Sequence, residues 1–374
     1  MSGGRVLRHD SAESVGMDAD RLKEVSEYVR RAISEHAFPG AVFLLARRGT
    51  IVTHEAHGNA VSAPIDMSRP MGPDTVFDMA SITKPVTTAT SLMILLEGGQ
   101  VRLDDPVRLH LPEYAGEGKE GTTLRNLLTH TSGLPAWKPL YEVCKTRDAF
   151  LKEICRMNLE HPPGEKVVYS CLGYILLTFV IERIAGEGLD SFARRRVFSP
   201  LGMRDTQFNP QPDMKRRIAA TEMCKWRGRM LIGEVHDENA FGMGGVSGNA
   251  GLFSTAMDIA TFAQTFLNSG EYGRSRILSP LSVKLMTQNH TAGLDEPRGI
   301  GWALRSGKGS SSGDLLSESA YGHTGFVGGS LWIDPVDELI VILLTNRVHP
   351  ARENDAILRV RPQFHNIVAS SIIE

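Results

Sequence analysis

The hydrophobic positions change period several times along the chain, and each change predicts an element. Over 18–36, Leu22, Val25, Val29, Ala32 and Ile33 recur at helical spacing before Pro39-Gly40 interrupts the pattern. Two apolar-rich runs follow, 41–48 and 50–56, parted by Gly49, and they read as a β-hairpin. A second hairpin is predicted near the other end of the chain, with strands at 329–333 and 339–345 around a turn at 334–338. The segment 364–373 suits a final helix. Between these ends the pattern is mostly helical, at 126–128, 147–157, 172–185 and 256–267, with breaks at 131–135 and 162–164. The simplest architecture is α+β. Both chain ends join one antiparallel sheet flanked by helices (residues 1–84 and 245–374), and residues 85–244 form an inserted, mostly helical lobe beside it. Sites commonly lie where two such parts meet.

Composition narrows the possibilities. The chain has 374 residues, 41% of them hydrophobic, and a net charge of −2, which gives ample material for a core. Near-neutral charge without a basic run argues against nucleic-acid binding. The longest apolar runs, 174–181 and 339–344, are too short to span a membrane. The first ten residues lack the apolar core of a secretory signal, so the chain as written is expected in the cytoplasm, or outside it if a leader has been removed. Four cysteines (Cys144, Cys155, Cys171, Cys224) form no Cys-x-x-Cys pair and are too sparse for a disulfide framework. His54 and His57 fall on opposite faces of a predicted strand, so no metal site and no cofactor is expected. The glycine-rich run 242–251 lacks the Gly-Lys-Ser/Thr ending of a phosphate loop and reads as a close-approach backbone loop. The run 307–313 reads as an exposed flexible connection.

One stretch carries chemistry. Ser81-Ile82-Thr83-Lys84 is followed by Pro85, an apolar run to Glu97, and then Gly98-Gly99. Proline fits a helix's first turn and glycine its end, so a helix is predicted from about Ser81 to about Glu97. Residues three apart share a helix face, which sets a hydroxyl beside an amine at the positive end of the helix dipole. That pairing is a nucleophile beside a candidate base.

Two further motifs stand downstream: Tyr169-Ser170-Cys171 before an apolar helix, and His323-Thr324-Gly325 before the second hairpin. With Ser81-x-x-Lys84, and with connectors at 127–135, 200–206 and 251–256, they resemble the serine β-lactamase / DD-peptidase superfamily. The likeness is to its class C-like branch of β-lactamases, D-aminopeptidases and family VIII carboxylesterases, over about Val15 to about His349. The resemblance implies a β-lactamase/transpeptidase-like fold, an acyl-enzyme on Ser81, and proton transfer shared by Lys84 and Tyr169. It also implies an oxyanion hole made of the N–H groups of Ser81 and Phe326. Lys84 needs desolvation or a neighbouring cation to act as a base, and His323, if charged, would supply part of that field. Thr324, Gly325, Phe326, Cys171 and His236 complete the expected oxyanion and substrate-binding set. Cys171 stands where relatives often carry an asparagine, and His323 where true β-lactamases carry lysine. Both departures point away from efficient β-lactam hydrolysis.

The expected activity is hydrolysis of small carboxylic esters or amides, with a small-molecule or peptide substrate as partner and no nucleic acid; the sequence leaves the oligomeric state open. The segment 233–240 also resembles muramyl-peptide amidases of cell-wall recycling, where His236, Asp237 and Glu238 either line the cleft or only pin a loop. Acyl transfer to an acceptor other than water, and a non-catalytic penicillin-binding sensor or scaffold, are the remaining alternatives.

Overall fold

The structure, a computed structural model, describes residues 3–63, 65–307 and 309–374. Met1 and Ser2 of the N-terminal reading, and Lys308 of the 307–313 connection, lie outside the described residues. An eight-stranded sheet runs in the order Arg8–His9, Thr50–Val61, Gly40–Arg47, Leu339–Thr345, Ser330–Asp334, Tyr321–Thr324, Ala303–Leu304, with Arg69–Pro70 added beside Thr50–Val61. Pairing is antiparallel except for Arg8–His9, which runs parallel to Thr50–Val61. The two predicted hairpins meet at the centre, where Phe43 faces Leu343 and Ala41 faces Thr345.

Side chains alternate along a strand, so the apolar run 339–345 must be covered on both faces. Leu339, Val341 and Leu343 pack with Phe43, Leu45 and Trp332 beneath the helices Ala19–Ser34 and Ile357–Ala369. Ile340, Ile342 and Leu344 pack on the opposite side with Leu92, Leu176 and Phe262, from helices Thr90–Glu97, Cys171–Ala185 and Ala256–Leu267. Burying one such side chain contributes about 1.5–3 kcal/mol, so this doubly covered strand holds the two helical layers together.

Helix starts follow their caps. Asp18 accepts the N–H groups of Asp20 and Arg21 ahead of Ala19–Ser34, and a Thr123/Asn126 capping box opens Leu124–Leu128. The helix expected at 364–373 instead spans Ile357–Ala369 with Pro362 inside it. Pro362 has no N–H to donate to the Leu358 carbonyl four residues back, and Leu358 is 67% exposed. The 307–313 run is not simply exposed: Ser312 is fully buried, and the Ser311 carbonyl bonds the His365 ring at 2.7 Å. The glycine-rich run is a close-approach loop as expected. A Cβ on Gly248 would lie 2.5 Å from the Tyr174 carbonyl oxygen, and Gly248 exchanges 2.7 Å hydrogen bonds with Thr88 and Thr178.

Candidate active site

Ser81 sits on a 3₁₀ turn, Ala80–Ile82, that continues through a π-helical turn, Lys84–Ala89, into the α-helix Thr90–Glu97. The predicted helix is therefore wound tightly at its start and loosely over its next turn, a departure that recurs at functional sites. Ala80 is held at φ 45°, a left-handed conformation that costs an alanine about 1–2 kcal/mol. The buried carboxyl of Asp78 holds it there. One Asp78 oxygen accepts the Ala80 N–H at 2.7 Å, and the other accepts the His236 N–H at 2.7 Å. Burial pushes the Asp78 carboxyl above the usual carboxylate range.

Lys84 is fully buried. Its Nζ donates to Ser81 Oγ at 3.0 Å and to the Asn249 carbonyl at 3.0 Å, and lies 3.7 Å from Cys171 Sγ. The same nitrogen stands 4.8 Å from the centre of the Tyr169 ring and 5.4 Å from that of Tyr174. Burial raises the Tyr169 phenol, and neighbouring Lys84 and Ser81 act in the opposite direction without outweighing it. Burial works against the charge of Lys84 too, but Cys171, Tyr169 and Asp237 outweigh it and hold the ammonium above the ordinary lysine range.

Tyr169 is positioned by the loop before helix Cys171–Ala185. The Val168 N–H bonds the His130 carbonyl, the Ser170 N–H bonds His130 Nδ1, and the Cys171 N–H bonds the Ala136 carbonyl. The His130 ring lies against Tyr169 (4.4 Å between centroids) and Tyr174 (5.0 Å).

His323 reaches the site from strand Tyr321–Thr324. Its ring lies 6.0 Å from that of Tyr169, and Nδ1 bonds the Thr324 carbonyl at 2.8 Å. Burial first, then Lys84 and Arg298, hold its imidazole well below the ordinary histidine range. The cationic field that a charged His323 would lend Lys84 is therefore disfavoured: desolvation and like charge both work against the imidazolium. Gly325 comes so close to the nucleophile turn that a Cβ there would meet the Met79 carbonyl oxygen at 2.7 Å. Among the described residues, the N–H of Phe326 donates to no carbonyl or side chain.

These groups share one cavity of about 860 Å³, lined by Ser81, Tyr169, Cys171, His236, His323, Thr324, Gly325 and Phe326 among others. The fold thus brings the sequence-predicted residues together, with Lys84 buried directly behind Ser81. His236, Asp237 and Glu238 line the cavity and are also pinned. His236 bonds Glu222 at 2.9 Å, Asp237 caps helix Glu238–Gly242, and Glu238 pairs with Arg352 at 2.7 Å. Sequence reasoning missed Asp78, His130, Asn249 and Arg298. His130 lies within the 127–135 connector and Asn249 within the glycine-rich run, so position in those segments was the available signal. Arg298, whose guanidinium stands 5.4 Å from the Tyr169 ring, had none. Among the described residues no group of three or more metal-ligating side chains is assembled, and no helix is long and apolar enough to cross a membrane.

A mixed sheet sandwiched by helices, with a serine and a buried lysine at one helix entry, defines an enzyme of the serine-hydrolase type. Comparison then gives its family: a model described as Beta-lactamase matches residues 23–363, and the chain belongs to that family. An N-acetylmuramyl-L-alanine amidase of Bacillus subtilis (strain 168) is 33% identical over 372 residues, covering 91% of this chain and 84% of its own. An Escherichia coli (strain K12) protein, provisionally named a D-alanyl-D-alanine carboxypeptidase, is 32% identical over 378 residues, covering 92% and 86%. Among solved structures, EstCE1, titled a hydrolase with promiscuous acyltransferase activity, superposes with a TM-score of 0.76 at 24% identity, covering 93% of this chain and 98% of its own.

Proposed function

We propose that this hydrolase forms an acyl-enzyme on Ser81 and cleaves carboxylic esters or amides. The observation that carries the reading is the 3.0 Å contact between Lys84 Nζ and Ser81 Oγ, with the Tyr169 ring centre 4.8 Å from the same nitrogen, at the wall of a substrate-sized cavity. In the competent form Lys84 is the free amine. It takes the Ser81 proton as Oγ bonds to the carbonyl carbon, and the N–H groups of Ser81 and Phe326 hold the oxyanion. Tyr169 passes its own proton to the departing oxygen or nitrogen and recovers one from Lys84. Water then attacks the acyl carbon by the reverse proton path, releasing the acid and restoring Ser81.

The amidase relative supports a second reading of the same site, cleavage of N-acetylmuramyl-L-alanine amides, for which a cavity of about 860 Å³ leaves room. β-Lactams are poor substrates on either reading: Cys171 cannot donate an amide hydrogen bond, and a neutral His323 offers no cation to a carboxylate.

The test combines intact mass with product analysis. A fluorophosphonate should add one adduct, mapped to Ser81. A panel of short esters, D-amino-acid amides, a cephalosporin and a muramyl dipeptide should show turnover of esters or of the muramyl amide. Labelling that maps elsewhere, or an adduct without turnover of any member, would overturn the proposal.

A pH dependence follows. Lys84 and Tyr169 are both raised, so the basic form is the minor one at neutral pH. Ester kcat/KM should climb about tenfold per unit as pH rises from 6 toward the alkaline range. Burial holds His130 and His323 neutral, so neither adds a limb between pH 6 and 8. A profile falling over that interval would contradict this assignment.

A further inference from the structure

The cavity wall contains a buried cation that the reaction above does not use. Arg361, on helix Ile357–Ala369, is 5% exposed and lines the cavity. Its Nη2 donates to the Gly325 carbonyl at 2.6 Å and to the Gly329 carbonyl at 2.9 Å. Among the described residues no carboxylate lies within ion-pair distance of it, and its Nε has no partner. Arg347 lies close enough to add a second positive field, and it donates from Nε to the Phe326 carbonyl at 2.8 Å. Placing an unpaired guanidinium in the interior is unfavourable. Closing a turn does not require that charge, because a neutral amide donor would bond the same two carbonyls.

The bonded carbonyl shows what the charge does. The Gly325 oxygen and the Phe326 N–H belong to one peptide group. Drawing electron density toward the oxygen of a peptide makes its N–H a stronger donor, because hydrogen bonds in a chain polarise one another by about 10–30% each. Gly325 already accepts from the Gly328 N–H at 3.0 Å, and Arg361 adds a charged donor to the same oxygen. We infer that Arg361 is a positioning residue for the oxyanion site: it fixes the 325–329 turn and polarises the Gly325–Phe326 peptide, so that the Phe326 N–H stabilises negative charge developing on the substrate. This rests on the reading that Ser81 acylates beside Phe326.

The experiment compares Arg361→Gln, which keeps a donor and removes the charge, with Arg361→Lys, which keeps the charge and loses the planar fork. Readouts are kcat and KM for a nitrophenyl ester, the Ki of a boronic acid that mimics the tetrahedral adduct, and the melting temperature. Losing one oxyanion donor outright costs about 10²–10³ in kcat, so weakening one should cost about 10–100-fold. The expected result is that loss in Arg361→Gln with KM within about twofold, a matching rise in boronate Ki, and recovery of most of both in Arg361→Lys. A residue that only staples the turn would lower the melting temperature of both variants without separating Ki from KM, and that pattern would overturn the inference. Should Arg361→Gln not fold, Arg361→Lys decides alone: kcat and Ki near wild type support the role of charge, and a loss in Arg361→Lys as large as that expected for glutamine refutes it. Wild-type protein that is not labelled at Ser81 defeats the underlying reading. Wild type that is labelled and active, beside an Arg361→Gln that equals it, defeats this inference only.

Discussion

Ser81→Ala is expected to lower turnover of a nitrophenyl ester by about 10⁴-fold or more while leaving the melting temperature within a degree or two. The size follows from the role: no other group beside Lys84 can replace the hydroxyl, and what survives is the rate that binding and oxyanion stabilisation provide without a nucleophile. Cys171 is the one alternative in reach, with Sγ 3.7 Å from Lys84 Nζ, but burial raises its thiol and leaves little thiolate. The small effect on stability follows from position. Ser81 is half-buried at the cavity wall, and its removal costs Lys84 one of two oxygen acceptors while the Asn249 carbonyl remains. A stopped-flow or plate assay of the purified variant decides the matter, and turnover within tenfold of wild type would remove Ser81 from the chemistry.

Lys84→Met is expected to move activity and stability in opposite directions. Turnover should fall about 10³–10⁴-fold, since the hydroxyl loses its base. The melting temperature should hold or rise. Lys84 is fully buried, and its nitrogen touches the Ser81 hydroxyl, the Asn249 carbonyl and the Cys171 sulfur. Methionine fills a similar volume, and exchanging a buried ion for an apolar chain is often neutral or stabilising. The carbonyl of Asn249 left without its donor sets the opposing cost, about 1–3 kcal/mol. Calorimetry and the ester assay on one preparation give both numbers. A variant that loses stability in step with activity would mark Lys84 as a structural residue.

The parts of this site that were legible in the sequence are those set by local geometry. Ser81 and Lys84 are one helical turn apart, and helical spacing alone brings them face to face. The strands 339–345 and 41–48 were legible because each contains an unbroken apolar run, 339–344 and 41–46. Tyr169 and His323 carried no local signal of contact and entered only through resemblance, because their approach depends on a helix entry and a strand end that meet Ser81 after the sheet has formed. Asp78, His130 and Arg361 lay further out of reach. Asp78 holds Ala80 through a backbone bond, His130 pins the Tyr169 loop, and Arg361 acts from a helix whose start the pattern placed seven residues too late, at 364 instead of 357. The protonation of His323 was left open for the same reason. A histidine letter carries no record of how much water surrounds it, and burial decides against charge on His323.

The central pairing of Gly40–Arg47 with Leu339–Thr345 has a consequence for synthesis on the ribosome. The early strand emerges hundreds of residues before the segment that completes it, and until then one of its apolar edges has no mate. Such late closure favours slow folding and exposes a sticky edge to other nascent chains. A release experiment in which translation is arrested just short of Leu339 should yield a protease-sensitive chain that holdase chaperones retain, and extension past Thr345 should free it.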